Sequence, residues 1–456
     1  MILQRFSRAL ILVVVIFSVI NAPQLFAQDS HYWTNQFGNR ARLLAGAVFG
    51  STDDLSAVYY NPGSLALVDK SAILLSGSVF EATNVRVKNT VADKESSFWD
   101  TRLSPSLFAG EVGAKERGQN RIAYSFLTRY GSKIRLDSLA TATGGDFPPE
   151  LEFVGSDFRI DTELNEYWFG GTYARPMGDD VGLGVSMFFA YRSQRGRVQS
   201  TSQALGAEGR AAVVNQTRDY NYWHWRALWK IGLATYVNKW RVGITVTTPS
   251  VGIGGTGDVT YDDTFVGQGV DAQGNPLTFI AVDKQKVDSN YRSPISIGFG
   301  AARAFGKTRV HIAAEWFNKS DEFTVLDTEP FQAQSSGETI ETDLFRQLDQ
   351  VFNVAVGLER DINERFHGYA GFRTDFSGLG RESSGNDAVT LLDIYHLSGG
   401  ATVMISDNEF TLGGVLSFGG APIARELVIP EELDFSNEAD VRYFRFLAIL
   451  GFSFDF

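Results

Sequence analysis

The chain has no cysteine. That excludes a disulfide framework, a thiolate metal site, a cysteine nucleophile and a lipid anchor on a cysteine at a cleavage site. Long apolar runs are scarce too. A membrane-spanning helix needs about 20 consecutive apolar residues, and past residue 30 no such run exists. There is no basic block, and the formal net charge is -12, so the chain is a poor nucleic-acid binder. A Walker-A sequence and a G-x-S-x-G elbow are also missing.

What is present is glycine and aromatic residues. The 456 residues include 46 Gly and 35 Phe, yet mean hydropathy is only -0.10. The one long apolar run stands at the start. Arg5 and Arg8 form a basic region, Ala9 to Ile20 an apolar one of 12 residues, and Leu25-Phe26-Ala27 offers small-residue cleavage chemistry. Residues 1–27 therefore read as a signal peptide, with the mature chain starting at Gln28. An N-terminal membrane anchor would need a longer run, and Pro23 follows this one closely.

The remainder alternates with period 2, the pattern of half-buried strands. In the last segment Phe444, Phe446, Ala448, Leu450, Phe452, Phe454 and Phe456 share one face. Upstream, Val181, Leu183, Val185, Met187, Phe189 and Tyr191 oppose Gly182, Gly184, Ser186 and Arg192. Trp223, Trp225, Trp229, Ile231 and Leu233 oppose His224, Arg226 and Lys230. Val310, Ile312, Ala314 and Trp316 oppose Arg309, His311 and Glu315. Phe366, Ala370 and Phe372 oppose His367, Tyr369, Arg373 and Asp375. An Arg facing lipid at the bilayer midplane costs about 2–4 kcal/mol, so the polar faces should line a lumen. In lipid, only a closed barrel pairs every strand edge.

Fourteen strands are expected, near 73–88, 100–113, 119–135, 157–176, 180–201, 213–237, 239–248, 285–304, 307–321, 347–361, 365–377, 390–406, 408–421 and 439–456. Short connections follow the even-numbered strands: Lys115-Glu116-Arg117-Gly118, Met177-Gly178-Asp179, Asn238-Lys239, Phe305-Gly306-Lys307, Asp361-Ile362-Asn363 and Asp407-Asn408. Long polar ones follow the odd-numbered strands, the longest near 136–156, 249–284 and 322–346. Short periplasmic turns and long external loops are the outer-membrane plan. The fold class is therefore all-β, a transmembrane antiparallel β-barrel of about 14 strands (residues 71–456) in the bacterial outer membrane of a Gram-negative cell.

Residues 28–70 break the strand rhythm. Asn39-Arg40-Ala41-Arg42-Leu43-Leu44-Ala45 suits a short helix, and Asn61-Pro62-Gly63 a turn in which Gly63 supplies φ > 0. By itself the segment reads as a compact piece placed before the first strand, with Asn61-Pro62-Gly63 an ordinary surface turn. The stretch from Ser51 to Ala66, with Asp53, Asp54, Tyr59, Tyr60, Asn61, Pro62 and Gly63, resembles the N-terminal region of the FadL/TodX family, with Gly63-Ser64 where that family usually has Ala-Gly. Tyr291 to Gly298 and Phe352 to Asp375 resemble later parts of the family more weakly. The resemblance implies a 14-stranded barrel plugged by residues 28–70 as an N-terminal hatch, since such a lumen is too wide for its own wall side chains to fill, and passing hydrophobic small molecules, such as long-chain fatty acids or aromatic hydrocarbons. It implies passive transport, with lateral exit through the wall and those seven residues at the hatch or gate.

The other chemistry is thin. Gly252-Ile253-Gly254-Gly255-Thr256-Gly257 matches G-x-G-x-x-G, but an extended stretch follows instead of a helix, so a flexible external loop is expected rather than a dinucleotide site. The five His show no metal spacing and no evident Ser and acid partners. No cofactor, metal or enzymatic activity is expected. Arg192, Arg226, Lys230, Arg309 and Arg373 fall on polar faces and are candidate contacts for a ligand carboxylate, or else partners of lumen acids. Phe452, Phe454 and Phe456 resemble the terminal signal read by the barrel assembly machinery, and outer-membrane lipid is the surrounding partner. A general or specific porin, and a barrel serving as a protein-secretion shuttle component, are the competing readings.

Overall fold

A computed structural model describes residues 25–26, 30–68, 72–88, 95–112, 119–143, 151–206, 209, 211–270, 276–379, 392–405, 408–424 and 438–455. The expected leader and its cleavage point lie almost wholly outside these, as do the turn at Lys115 to Gly118, Asp407 and Phe456.

Fourteen antiparallel strands close into one barrel. They are β1 (Ala72–Lys88), β2 (Ser96–Val112), β3 (Arg121–Thr143), β4 (Leu151–Pro176), β5 (Val181–Gly206), β6 (Ala211–Val237) and β7 (Trp240–Thr247), then β8 (Ser296–Phe305), β9 (Thr308–Phe317), β10 (Val351–Asp361), β11 (Phe366–Asp375), β12 (Ile394–Ile405), β13 (Asn408–Ala424) and β14 (Glu438–Asp455). β14 pairs with both β13 and β1, and β7 joins β6 to β8, which completes the ring. All fourteen expected strands are present.

The alternation sorts as lipid demands. On β14, Arg445, Leu447 and Ile449 are buried inward, while Phe444 and Leu450 are exposed on the outer face. Outward aromatics form a belt in which Phe126 stacks on Tyr167 and Tyr191 packs on Trp225, with ring centres 5.9 and 5.0 Å apart. Asn238, at φ 57, and Gly306, at φ 62, make the tight turns after β6 and β8, where a left-handed residue reverses the chain in two positions.

Three features depart from the expectation. β3 to β6 run for 23 to 27 residues, about twice the 9–11 that cross a bilayer. β3 and β4 run on through 136–143 and 151–156, where a long loop was expected, whereas β5 and β6 keep close to their expected bounds. Val251–Val270, including Gly252 to Gly257, is a strand and not a flexible loop. It forms a hairpin with Pro276–Asp288 and pairs with the outer half of β6, while β7 takes the inner half. Residues 285–288 belong to that hairpin, so the eighth strand starts at Ser296 rather than 285.

One ladder is incomplete. β2 and β3 pair from Val112–Ile122 up to Leu107–Leu127, and there the register ends although both strands continue. Two residues explain it. Pro105 has no N–H to offer, and Arg129 is bulged out of the register that β3 keeps with β4.

Candidate functional site

Residues 30–68 fold inside the ring. They contain α1 (Asn39–Leu43), α2 (Ala57–Tyr60) and α3 (Pro62–Leu65). Hydrogen bonds leave the segment in all directions. Arg42 donates to Ser78 of β1, Val58 O accepts from Ser186 of β5, and Tyr60 O accepts from Thr245 of β7. Leu43 O accepts from Ser398 of β12, and Trp33 N donates to Asp375 of β11.

The Asn-Pro-Gly sequence works differently from the expected turn. Asn61 caps α3, its Oδ1 accepting from Gly63 N at 3.0 Å, with Pro62 in the first helical turn. Its Nδ2 donates to Phe49 O and to Leu233 O of β6, each at 2.9 Å. Gly63 is helical and uses no positive φ. It is needed for close approach, because a Cβ there would lie 2.5 Å from Gly182 O and 2.6 Å from Gly232 O. Gly50 is seated likewise, 2.3 Å from Gly300 O by the same measure. Inward glycines of β10 to β14 receive Leu43, Leu44 and Asn39. The wall glycines thus form a seat for the segment's backbone, a role local pattern did not reveal.

Tyr59 and Tyr60 meet edge to face, 5.2 Å apart. Tyr60 donates to Gln36 Oε1 at 2.6 Å and accepts from Phe37 N. Burial pushes the Tyr59 hydroxyl up to about 12 and the Tyr60 hydroxyl higher still. Asp53 and Asp54 stand at the rim. Asp53 accepts from Arg40 at 3.0 Å, and Asp54 accepts from Ser56 N at 2.8 Å. Burial opposes charge on Arg40, but Asp53 and Glu359 of β10 more than offset it and hold the guanidinium above its ordinary range. Burial, with Arg445 nearby, lowers Arg42 to about 10.

A Ser-His-acid contact does exist, contrary to expectation. Ser51 Oγ lies 2.8 Å from His311 Nδ1, and His311 Nε2 lies 3.1 Å from Glu359 Oε2. All three are buried, and Glu359 also accepts from Arg40 and Arg309. The cluster ties the segment to β9 and β10.

Above the segment lies a cavity of about 50 Å³, room for a few waters. Its aromatic lining includes Tyr32, Tyr59, Trp168, Tyr291 and Phe317. Of the five candidate cations, Arg226 and Lys230 line it. Arg226 donates to Glu166 at 2.6 Å, and Lys230 sits 4.5 Å from the Tyr59 ring centre and donates to Thr247. Arg192 stands behind, donating to Glu166, Gln194 and Tyr222. Arg309 is spent on Glu359, and Arg373 donates to Trp33 O and Thr34 O beside a second, polar cavity of about 20 Å³. Sequence reasoning missed Arg129, which lines the aromatic cavity and lies 4.5 Å from the Tyr130 ring centre. Among the described residues, Arg226 Nε and Nη1 and Arg129 Nη1 are buried N–H groups with no hydrogen-bond partner. Such donors are costly to leave unmet.

The fold is that of the FadL/TodX-type barrels. A Pseudomonas aeruginosa FadL homologue is similar over 93% of this chain and 100% of its own, at 12% identity and TM-score 0.57. The Ralstonia pickettii toluene transporter TbuX covers 92% and 98%, at 13% identity and TM-score 0.57. The CymD monoaromatic hydrocarbon channel covers 92% and 97%, at 12% and 0.56. No family model matches the sequence, and no curated protein sequence matches it.

Proposed function

We propose that this chain carries hydrophobic small molecules, long-chain fatty acids or aromatic hydrocarbons, passively across the bacterial outer membrane. Residues 28–70 act as its hatch, with Asp53, Asp54, Tyr59, Tyr60, Asn61, Pro62 and Gly63 holding it in place. Cargo collects in the aromatic cavity and leaves sideways between β2 and β3. The observation that carries this reading is the broken β2–β3 ladder beside a hatch seated backbone to backbone elsewhere. A seat that tight favours an immobile floor, which leaves the wall as the easier way out. A carboxylate on the cargo would be met by Arg226 and Arg129, whose unpaired N–H groups it would satisfy, with Lys230 beside them. Arg192, Arg309 and Arg373 hold that surrounding framework. Differential affinity and a downhill gradient suffice to drive movement, without covalent chemistry.

The test closes the wall. Ser106 and Thr128 occupy the next positions beyond the last β2–β3 pair and line the same polar cavity. The double variant Ser106→Cys/Thr128→Cys, in a chain otherwise free of cysteine, is expressed in cells lacking their own transporter. Uptake of radiolabelled oleate or toluene is expected in the reduced form, to be lost on oxidation and to return with dithiothreitol. Equal uptake in both forms, with the disulfide verified by mass, rules out the lateral route. No uptake above empty vector by the wild type rules out transport of these probes.

A further inference from the structure

The break between β2 and β3 is bordered by a chain of polar contacts, which one close approach of Arg102 to Gly131 completes. Arg102 of β2 donates to Glu81 of β1 at 3.0 Å. Its guanidinium also reaches β3, because a Cβ on Gly131 would come within 3.3 Å of Arg102 Nη1. Glu81, which is buried, lies 2.9 Å from Arg445 Nε of β14. Arg445 Nη2 donates to Asn35 Oδ1 of the N-terminal segment at 3.0 Å. Asn35 Nδ2 donates in turn to Arg129 O, the bulged carbonyl on the β3 side of the opening, at 3.3 Å. These contacts thus run from one edge of the opening to the other through the wall and the hatch.

Arg129 also belongs to the aromatic cavity. Its Nη2 donates to Tyr32 O at 2.6 Å, and its guanidinium lies 5.7 Å from the Trp168 ring centre. One residue therefore contributes its side chain to the cavity and its backbone to the edge of the opening.

We propose that Arg102, Glu81, Arg445 and Asn35 form a latch across the β2–β3 opening, and that Arg129 releases it when an anionic cargo occupies the aromatic cavity. The proposal rests on the lateral-exit reading. A cargo carboxylate draws the Arg129 guanidinium from Tyr32 O, the bulged peptide shifts with it, and Asn35 loses its acceptor. Arg445 and Glu81 then no longer hold Arg102 over Gly131. An uncharged hydrocarbon offers Arg129 no such partner and leaves the latch as it stands.

The test reads the opening and not the transport. Thr128→Cys places one thiol in the polar cavity behind the gap. The purified full-length barrel is reconstituted in liposomes that contain a maleimide on an acyl chain, and the labelling rate is followed by mass. Folding of every variant is checked by heat-modifiable migration on a gel. Arg102→Ala and Asn35→Ala are each expected to speed labelling by about tenfold or more, since each removes a link of the latch and leaves its partner, Glu81 or Arg445, short of a contact. Arg102→Lys should label at an intermediate rate. Unchanged rates in both alanine variants, with the barrel folded, overturn the latch. Oleate is expected to speed labelling in the Thr128→Cys background and toluene to leave it unchanged. Arg129→Met is expected to abolish the oleate response. A retained response, or an equal response to toluene, overturns the link through Arg129. Labelling needs no uptake, so a barrel that carries neither probe can still show the latch, and a carrier can still lack it.

Discussion

At Gly63 the backbone of the N-terminal segment rests against the backbone of the wall, and the same is true at Gly50. Side chains cannot be admitted there without moving one strand or the other. Gly63→Ala is expected to destabilise the barrel by about 1–3 kcal/mol, as overpacking does in close-packed interiors. The measurement is the midpoint of heat-modifiable migration. An unchanged midpoint would mean that the seat is looser than described. Residue-scale chemistry also explains why the candidate cations differ. Arg226 retains unpaired donors at the aromatic cavity, Arg309 meets Glu359, and Arg373 meets carbonyls of the segment while its Nη1 stays unpaired beside the polar cavity. All were assigned to polar faces by alternation, and alternation carries no information about partners.

Among the elements, β6 is divided between two neighbours. Its inner half, Lys230 to Val237, pairs with β7 and completes the ring; its outer half, Ala212 to Ala227, pairs with the hairpin strand Val251–Val270. The outer face of the extended sheet carries ion pairs such as Arg135–Asp161 and Arg159–Asp137. Exposed pairs of this kind add little stability, about 0–1 kcal/mol each. The ladders that close the ring here, β6 to β7 and β7 to β8, use no residue of the hairpin. Replacing residues 251–288 by a short Gly-Ser turn is expected to leave a heat-modifiable barrel. A chain that no longer folds would show that closure needs the hairpin.

At the scale of the molecule, the barrel and its contents set what can cross. Fourteen strands enclose more room than wall side chains fill, and residues 30–68 occupy it. The intact protein is expected to give little steady conductance in planar bilayers. Removal of residues 30–68 is expected to open a large steady one, provided the barrel still migrates as folded. High conductance in the intact chain would favour the porin reading and discard the hatch.

Local pattern determined the fourteen strands, their inward and outward faces and the short turns, because period-2 alternation and left-handed turn residues act over a few positions. It also marked the N-terminal segment as something other than wall. Only the tertiary structure decided the rest. The division of β6, the glycine seat, the pairing of Arg192 with Glu166 and the break between β2 and β3 all depend on which distant residues meet. Pro105 was a visible sign of the break, but a proline in a strand does not say which neighbour it will lack. A strand's sequence specifies its faces through burial, whereas its edges are specified by partners far along the chain.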